Sequence, residues 1–514
     1  MDDTPSGQDR RTLLKLGGAA VLAAQESVMT TPAAAKPSDI VMMDARALAA
    51  AIASRKLSSV EVMNAYLDHI AAFNPKVNAI VALQDRDGLL AEARECDEQV
   101  KRGDGLGPLH GLPHAVKDLQ PVRGIRSTSG SPILKDFVPT QDSLPVERMR
   151  KAGAIFIGKT NVPEFGLGSH TYNPVYGATH NAYDQTRSAG GSTGGGAVSL
   201  AMRMLPLADG TDYGGSLRNP AGWNNVFGFR TSFGVVPSAG EDAWLPSLAV
   251  AGPMARNVPD LALLLSVLAG YDPRAPLSVE GSGTRFLADL TADFKGKRIG
   301  WLGDLSGAAP YEPGVLDVCH AALKTFESLG CTADAAMPDA EPEPAWQAFI
   351  KLRLWQQGWS LHNYYADPVK RALLKPEAIY EIEGGQKLSG FDVTAASVAR
   401  THWSNAVQQL FGRYDFLLMP TAQLFAFDIN EHWPHQIAGQ TMQTYHEWMK
   451  AVCLVTMAGC PSLAVPAGFD GRGLSMGLQI IAPVHHEMDC LKLAHAYGQA
   501  NDWTARRLPP LLGI

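Results

Sequence analysis

Two serines in glycine-rich turns and one lysine at the end of an apolar run could together carry out nucleophilic chemistry. Ser192 lies within residues 189–196, Ser216 ends the block 210–216, and Lys117 ends the stretch 110–117. A serine hydroxyl attacks poorly unless a neighbouring base takes its proton, and a lysine can be that base only when neutral. Because an unperturbed lysine titrates at about pH 10.4, this chemistry requires Lys117 to be buried. The set predicts acyl transfer through a serine ester.

The turn around Ser192 also fits two other kinds of site. A phosphate-binding loop would need a closing lysine and hydroxyl residue, which residues 189–196 lack. A nucleophile elbow is a stronger rival, because Ser192 stands between Gly190 and Gly194. In that α/β-hydrolase hypothesis Ser192 is the nucleophile and a downstream histidine is the base.

The elements that must position these side chains follow an α/β pattern. Residues 44–102 have helical spacing of apolar side chains, after which short apolar runs at 113–117, 154–158 and 205–209 predict buried strands. Helical stretches at 143–153 and 194–203 alternate with those runs, which indicates a layered α/β fold. Residues 340–450 read as mostly helical and aromatic-rich, and two further strands are expected at 460–468 and 474–481.

Three sequence blocks make the chain similar to a known family of amidohydrolases. The blocks are residues 111–118, residues 190–195 with 210–216, and residues 461–468 with 477–479, and the segment 158–165 fits the same pattern. Together they resemble the amidase signature family over nearly the whole chain from residue 44 to residue 499. The resemblance implies a mixed, twisted β-sheet covered by helices on both faces, with the aromatic-rich helical region inserted.

The same resemblance implies roles for the three chemical side chains. Lys117 would be the base, and Ser216 would be the nucleophile. Ser192, whose peptide bond would be cis, would relay the proton between them. Backbone N–H groups would form the oxyanion hole, and such donors stabilise a transition state by about 3 to 4 kcal/mol each. These donors would belong to Tyr213, Gly214, Gly215 and Ser216.

The sequence departs from the family pattern at a few positions near the site. Thr193 replaces a second serine, Tyr213 stands where a smaller residue is common, and Gly196 replaces serine or glutamate. Tyr213 therefore leaves the shape of the acyl pocket open. Asp212 and Arg218, which flank the nucleophile turn, are interpreted as positioning or ion-pair residues.

Composition and charge restrict the partners of the protein. The chain has 514 residues, a formal net charge of −7 and no dense lysine or arginine run, so a nucleic-acid partner is not expected. Neither the six scattered cysteines nor the local histidine pairs have the spacing of a metal site. We expect a small-molecule amide as partner and no metal or cofactor, and we leave a homodimer open.

The first 35 residues resemble a twin-arginine export signal. Arg10 and Arg11 precede the apolar stretch 16–24, and alanines at 33–35 resemble a cleavage site. We therefore expect a periplasmic protein whose residues 36–514 form a single amidase domain. The apolar stretch is shorter than the ~20 residues that span a bilayer, so no stable membrane anchor is expected.

The resulting functional prediction is an amidase that cleaves a small carboxamide, with an aryl or apolar group held by residues 340–450. Two alternatives remain open at this point. An esterase or carbamate hydrolase of the same family would use the same acyl-enzyme. A non-catalytic, amidotransferase-like subunit would work only with partner chains, on aminoacylated transfer RNA.

Overall fold

A short parallel pair of strands carries the predicted base, and a large sheet carries the predicted nucleophile. The computed structural model describes residues 37–245 and 247–513. The predicted export signal, residues 1–35, lies outside the described residues. The described residues belong to one compact unit, residues 36–514.

Sixteen α-helices are found in this part of the chain. Their bounds are α1 Asp39–Met42, α2 Ala45–Ala53, α3 Ser59–Val77, α4 Arg86–Arg102, α5 Leu144–Lys151, α6 Gly194–Ala201, α7 Arg218–Trp223, α8 Val258–Leu268, α9 Val315–Ser328, α10 Pro342–Ala366, α11 Pro368–Arg371, α12 Pro376–Gly385, α13 Gly390–Leu410, α14 Lys450–Ala458, α15 Glu487–Ala500 and α16 Trp503–Arg506.

Thirteen strands accompany these helices within the described ranges. Their bounds are β1 Ile80–Val81, β2 Pro113–Lys117, β3 Ile155–Thr160, β4 Ala208–Asp212, β5 Phe227–Arg230, β6 Val250–Ala255, β7 Arg298–Trp301, β8 Thr332–Ala335, β9 Phe416–Pro420, β10 Gln436–Ile437, β11 Gln440–Thr441, β12 Ser462–Phe469 and β13 Ser475–Ile481.

Eight of the strands form one mixed sheet in the order β4-β6-β5-β12-β13-β9-β7-β8. Most neighbours are antiparallel, whereas β7 runs parallel to both β8 and β9. All seven residues of β13 are buried, and so are seven of the eight residues of β12. A strand buried at successive positions must be covered on both faces. The predicted α/β fold with a helix-covered mixed sheet is therefore confirmed.

A second, three-stranded sheet has the order β1-β3-β2. Strand β2 is parallel to β3, with Lys117 opposite Thr160, and every residue of both strands is buried. Lys117 therefore ends a strand that is shielded from water on both sides.

Strand β4 starts later than the apolar run 205–209 suggested. It pairs with β6 from Ala208 opposite Met254 to Asp212 opposite Val250. Pairing with a partner strand, rather than apolar character, extends it through the polar residues Thr211 and Asp212. Ser216 consequently lies in the turn that follows the strand.

Residues 340–450 contain both helices and a strand of the main sheet. Helices α10 to α13 reach Leu410, and the apolar run Phe416–Pro420 then forms β9, which pairs with β13. Five buried apolar or proline side chains in succession suit an interior strand better than a helix face. No helix among residues 37–245 and 247–513 is long and apolar enough to cross a membrane.

Candidate active site

The Lys117 amine is buried among oxygen atoms. Its Nζ lies 2.8 Å from Ser192 Oγ and 2.8 Å from Thr193 Oγ1. Thr211 adds its Oγ1 at 2.9 Å and its carbonyl oxygen at 3.2 Å. The side chain has no measurable exposure to solvent. The structure thus joins the predicted base to the predicted relay hydroxyl.

Burial also changes the protonation of this amine. Removal from water lowers the pKa of Lys117 to about 7, while the carboxylates of Asp209 and Asp212 act in the opposite direction. A substantial fraction of the amine is therefore neutral at neutral pH, as base chemistry requires.

The turn that carries Ser192 is held by hydroxyls from the preceding segment. The peptide bond between Gly191 and Ser192 is cis, as the resemblance implied. Ser169 Oγ donates to the Gly191 carbonyl at 2.6 Å, and Thr171 Oγ1 donates to the Gly190 carbonyl at 2.8 Å. These bonds fix the two carbonyls that precede Ser192.

A glycine is required where this turn enters α6. A Cβ at Gly195 would lie 2.3 Å from the backbone nitrogen of Asn161, which no real contact permits. The close approach packs the turn directly against the segment that follows β3. Any side chain here would push Ser192 away from Lys117.

The turn that carries Ser216 is organised by a buried carboxylate. Asp212 accepts the backbone N–H of Gly215 at 2.9 Å and that of Leu217 at 3.0 Å. Arg218 donates to both carboxylate oxygens at 3.0 Å, and Arg230 lies 3.2 Å from one of them. The backbone around Ser216 is thereby fixed from within the protein.

The two arginines keep Asp212 ionised. Burial alone would raise the pKa of this carboxyl, but the guanidinium groups of Arg218 and Arg230 hold the pKa well below its ordinary value. Asp212 and Arg218, interpreted from the sequence as positioning or ion-pair residues, form an ion pair with each other. Arg230 is a third member that the sequence interpretation missed.

The predicted oxyanion donors differ in availability. The N–H of Gly215 donates to Asp212, so it is not free for a substrate oxygen in this structure. None of the hydrogen bonds of the described residues uses the backbone N–H of Tyr213, Gly214 or Ser216. Three of the four predicted donors therefore remain available.

Ser216 itself is partly exposed, unlike the buried Ser192. The hydrogen bonds within residues 37–245 and 247–513 join Lys117 to Ser192 but include none between the Ser192 and Ser216 hydroxyls. The more accessible serine is thus the one in the turn with unoccupied N–H groups.

The α/β-hydrolase hypothesis is wrong. It requires a histidine beside Ser192, but the hydrogen-bond partner of Ser192 among the described residues is Lys117. His170, which lies near this turn, instead pairs its Nδ1 with Ser188 Oγ at 2.8 Å and its Nε2 with the Ile429 carbonyl.

Several residues around Lys117 were not singled out from the sequence. Asp209 Oδ1 accepts the backbone N–H of Lys117 at 3.1 Å and lies 3.0 Å from His114 Nε2, which ties β4 to β2. Thr211 contacts the amine directly. Their only signal was proximity in the sequence, because Asp209 and Thr211 flank Gly210 in the nucleophile block and His114 lies in the lysine block.

The side chains around the site are not grouped as metal ligands. Within the part of the chain that the structure describes, no cluster of three His, Cys, Asp or Glu side chains has the arrangement of a metal site. The groups in contact with the Lys117 amine are hydroxyls and a backbone carbonyl.

Comparison with known proteins agrees with this architecture. Residues 61–491 match the family model described as Amidase. An acylamidase of Rhodococcus erythropolis is 33% identical, over 90% of this chain and 97% of its own length. A glutamyl-tRNA(Gln) amidotransferase subunit of Thermosynechococcus vestitus is also 33% identical, over 87% of this chain and 96% of its own.

Superposition on a solved structure also shows similarity to an amidase. A bacterial aryl acylamidase described as belonging to the amidase signature family superposes with a TM-score of 0.86 at 27% identity, covering 92% of this chain and 99% of that chain. The chain belongs to the amidase signature family, and it is an amide-hydrolysing enzyme.

Proposed function

We propose that this enzyme hydrolyses a small carboxamide bearing an aryl or other apolar group, with Ser216 as nucleophile, Ser192 as proton relay and Lys117 as base. The observation that carries the proposal is the 2.8 Å contact between the buried Lys117 amine and the Ser192 hydroxyl. The similarity to an acylamidase and to an aryl acylamidase supports this substrate class.

In the proposed reaction a neutral Lys117 has two N–H bonds and one lone pair. Its N–H groups donate to Thr193 and Thr211, which leaves the lone pair for the Ser192 hydroxyl. As Ser216 Oγ attacks the amide carbon, its proton passes to Ser192, and the Ser192 proton passes to Lys117. The carbonyl oxygen becomes negative and accepts N–H groups of the nucleophile turn.

The tetrahedral intermediate then collapses. The carbon–nitrogen bond breaks, the proton returns through Ser192 to the departing amine, and the acyl group remains as an ester of Ser216. Water attacks the ester by the same relay, which releases the carboxylic acid and restores the serine.

Substitution of the two serines tests the assignment of roles. A fluorophosphonate probe should label wild type and Ser192→Ala at Ser216, more slowly in the variant, and should not label Ser216→Ala. Mass spectrometry of the labelled peptide identifies the serine. Labelling of Ser192 in the Ser216→Ala variant would contradict the proposal.

A substrate panel tests the chemical class. Aryl amides, aliphatic amides, peptide C-terminal amides, esters and carbamates are assayed with purified wild type and with Lys117→Ala. The proposal expects the highest kcat/KM among the amides for the aryl or apolar members. A marked preference for esters or carbamates would instead favour the alternative hydrolase of the same family.

The panel also addresses the amidotransferase alternative. Curated relatives at similar identity include amidotransferase subunits, so identity does not separate the two activities. We propose that this chain acts without partner chains, since it lacks a basic run for transfer RNA. Hydrolysis of a simple anilide by the purified chain alone would support this, and activity only on addition of other subunits would contradict it.

A further inference from the structure

Tyr213 is the first residue of the nucleophile turn after Asp212, and its side chain contacts a distant helix. Its hydroxyl donates to Gln356 Oε1 at 2.7 Å, and its ring centroid lies 4.9 Å from the Arg353 guanidinium carbon. Phe349 meets the same ring edge-on at a centroid distance of 5.9 Å. The Tyr213 side chain is therefore held by a hydrogen bond and a cation–π contact beside the predicted oxyanion donors.

The three contacting residues share one face of α10. Positions 349, 353 and 356 are separated by four and three residues, the spacing that aligns side chains on a helix. Phe349 also lies against the next residue of the turn, since a Cβ at Gly214 would be 3.1 Å from Phe349 Cζ. Helix α10 thus contacts two successive residues whose N–H groups are unoccupied.

Arg353 is itself immobilised by a buried cluster. Its Nε donates to Glu381 Oε1 at 2.8 Å, and Tyr445 and His446 contact the same carboxylate. Burial alone would raise the pKa of Glu381, but Arg353 and His446 lower it to about 2. The guanidinium beside Tyr213 is therefore paired with an ionised carboxylate and cannot easily swing away.

The nucleophile turn is consequently anchored at two independent places. The Asp212 carboxylate holds the amides of Gly215 and Leu217 from inside the sheet. Among the described residues, the side chain of Tyr213 is the attachment of this turn that reaches α10 by a hydrogen bond. The Asp212 carboxylate bonds neither the Tyr213 nor the Gly214 amide. Arg230 Nη1 donates to the Asp212 carbonyl oxygen at 2.7 Å, and the Tyr213 side chain adds the attachment to α10 beside both amides.

We infer that Tyr213, held by Arg353 and Gln356, is a positioning residue that fixes the backbone N–H groups of the oxyanion turn. The inference rests on the proposed function, because it needs the oxygen of the reacting carbonyl to lie at this turn. Rigid placement of such donors matters because they stabilise charge that develops only in the transition state. Loss of the anchor therefore lowers kcat and leaves KM nearly constant.

The experiment compares Tyr213→Phe, Gln356→Leu, their combination, and Tyr213→Leu. Tyr213→Phe and Gln356→Leu should each lower kcat about fivefold, the factor of one lost hydrogen bond. The kcat of the double variant should fall no further than that of either single variant, because both substitutions remove the same hydrogen bond. Tyr213→Leu also removes the cation–π contact with Arg353, and its kcat should fall about 20-fold or more. Inactivation by a fluorophosphonate should slow in the same ratios.

Tyr497 on α15 supplies a matched control outside residues 340–450. Its hydroxyl donates to the Pro466 carbonyl oxygen at 2.9 Å, and its ring stacks on Phe326. Tyr497→Phe therefore removes an equivalent buried bond, and kcat should stay at the wild-type value. The melting temperature of every variant is also measured. A lower kcat without a lower melting temperature indicates displaced N–H groups rather than a destabilised fold.

Three results would overturn the inference. They are wild-type kcat and inactivation rates in both Tyr213 variants, a change in KM alone, or an equal loss of kcat in Tyr497→Phe. The proposed function is judged separately by labelling of wild-type Ser216. Labelled wild type with unaffected Tyr213 variants contradicts only the positioning role, whereas an unlabelled Ser216 contradicts the proposed function as well.

Discussion

Lys117 combines complete burial with four oxygen neighbours, and this combination decides when its amine can accept a proton. Four oxygens compete for at most three N–H bonds, so the ammonium form is well solvated by the protein even without water. Burial nevertheless has the larger effect, because the pKa falls to about 7. The site therefore changes protonation within the physiological range.

A pH–rate profile should report this titration. With Lys117 as base, kcat/KM should fall about tenfold per pH unit below pH 7 and level off above it, since only the neutral amine accepts a proton. Lys117→Ala should lower kcat by about a thousandfold or more. The profile is measured with an anilide from about pH 5 to about pH 9, on either side of the expected midpoint.

Lys159 is the control for this titration. It is also buried, its pKa is lowered by burial to about 8, and it lies 3.8 Å from Asp118 rather than beside Ser192. Lys159→Met should leave the midpoint of the profile in place in whatever enzyme folds. A flat profile for wild type across the same pH range would count against the neutral-lysine base.

At the scale of elements, the turn between β4 and α7 depends on one carboxylate. Asp212 bonds two amides of the turn and two arginines, all within the protein. Its negative charge neutralises part of the charge of Arg218 and Arg230. The Asp212 side chain thus both fixes the backbone of the turn and balances the charge of the buried arginines.

Asp212→Asn should destabilise the fold strongly. Removal of one partner leaves buried charge unpaired, at a cost of about 3 to 5 kcal/mol in the free energy of unfolding. Because the folded-state pKa of Asp212 is lowered, its contribution is complete above the unfolded-state pKa and is lost as pH falls toward the folded value. Denaturant unfolding at neutral pH measures the change.

An exposed ion pair provides the comparison for Asp212. Arg86 and Asp68 lie 2.7 Å apart, with side chains 44% and 69% exposed. Asp68→Asn should cost less than about 1 kcal/mol, because water and salt screen the pair. Equal effects of the two substitutions would show that Asp212 is not a structural centre of the turn.

Local sequence predicted one side of the site and not the other. The strand that ends in Lys117 and the two glycine turns were readable because each motif is contiguous in the chain. Arg353 and Gln356 were not, since helical spacing does not say which turn a helix face will meet. The same limit applies to β9, which follows long helices and was interpreted as part of the same helical region.

Gly215 shows a subtler limit. Its place in the nucleophile block suggested an oxyanion donor, but the carboxylate three residues earlier takes its N–H. Sequence spacing alone cannot tell whether a turn amide faces the substrate or the protein. Only the folded turn, with φ of +107° at Gly215, resolves the direction.

At the scale of the whole molecule, the proposed periplasmic location is open to a direct test. If residues 1–35 are a twin-arginine signal, replacing Arg10 and Arg11 together by lysine should abolish export. Fractionation of the cells, with the activity assayed in each fraction, measures the outcome. Equal periplasmic activity in wild type and variant would contradict the proposal.

The proposed base and the proposed nucleophile belong to different sheets, since Lys117 ends β2 and Ser216 follows β4. Asp209 bridges them through the Lys117 amide and His114. Hydrolysis therefore requires the two sheets to stay packed against each other. A slight separation would stop the reaction while each sheet kept its own hydrogen bonds. On gradual heating, turnover should cease before circular dichroism registers any melting.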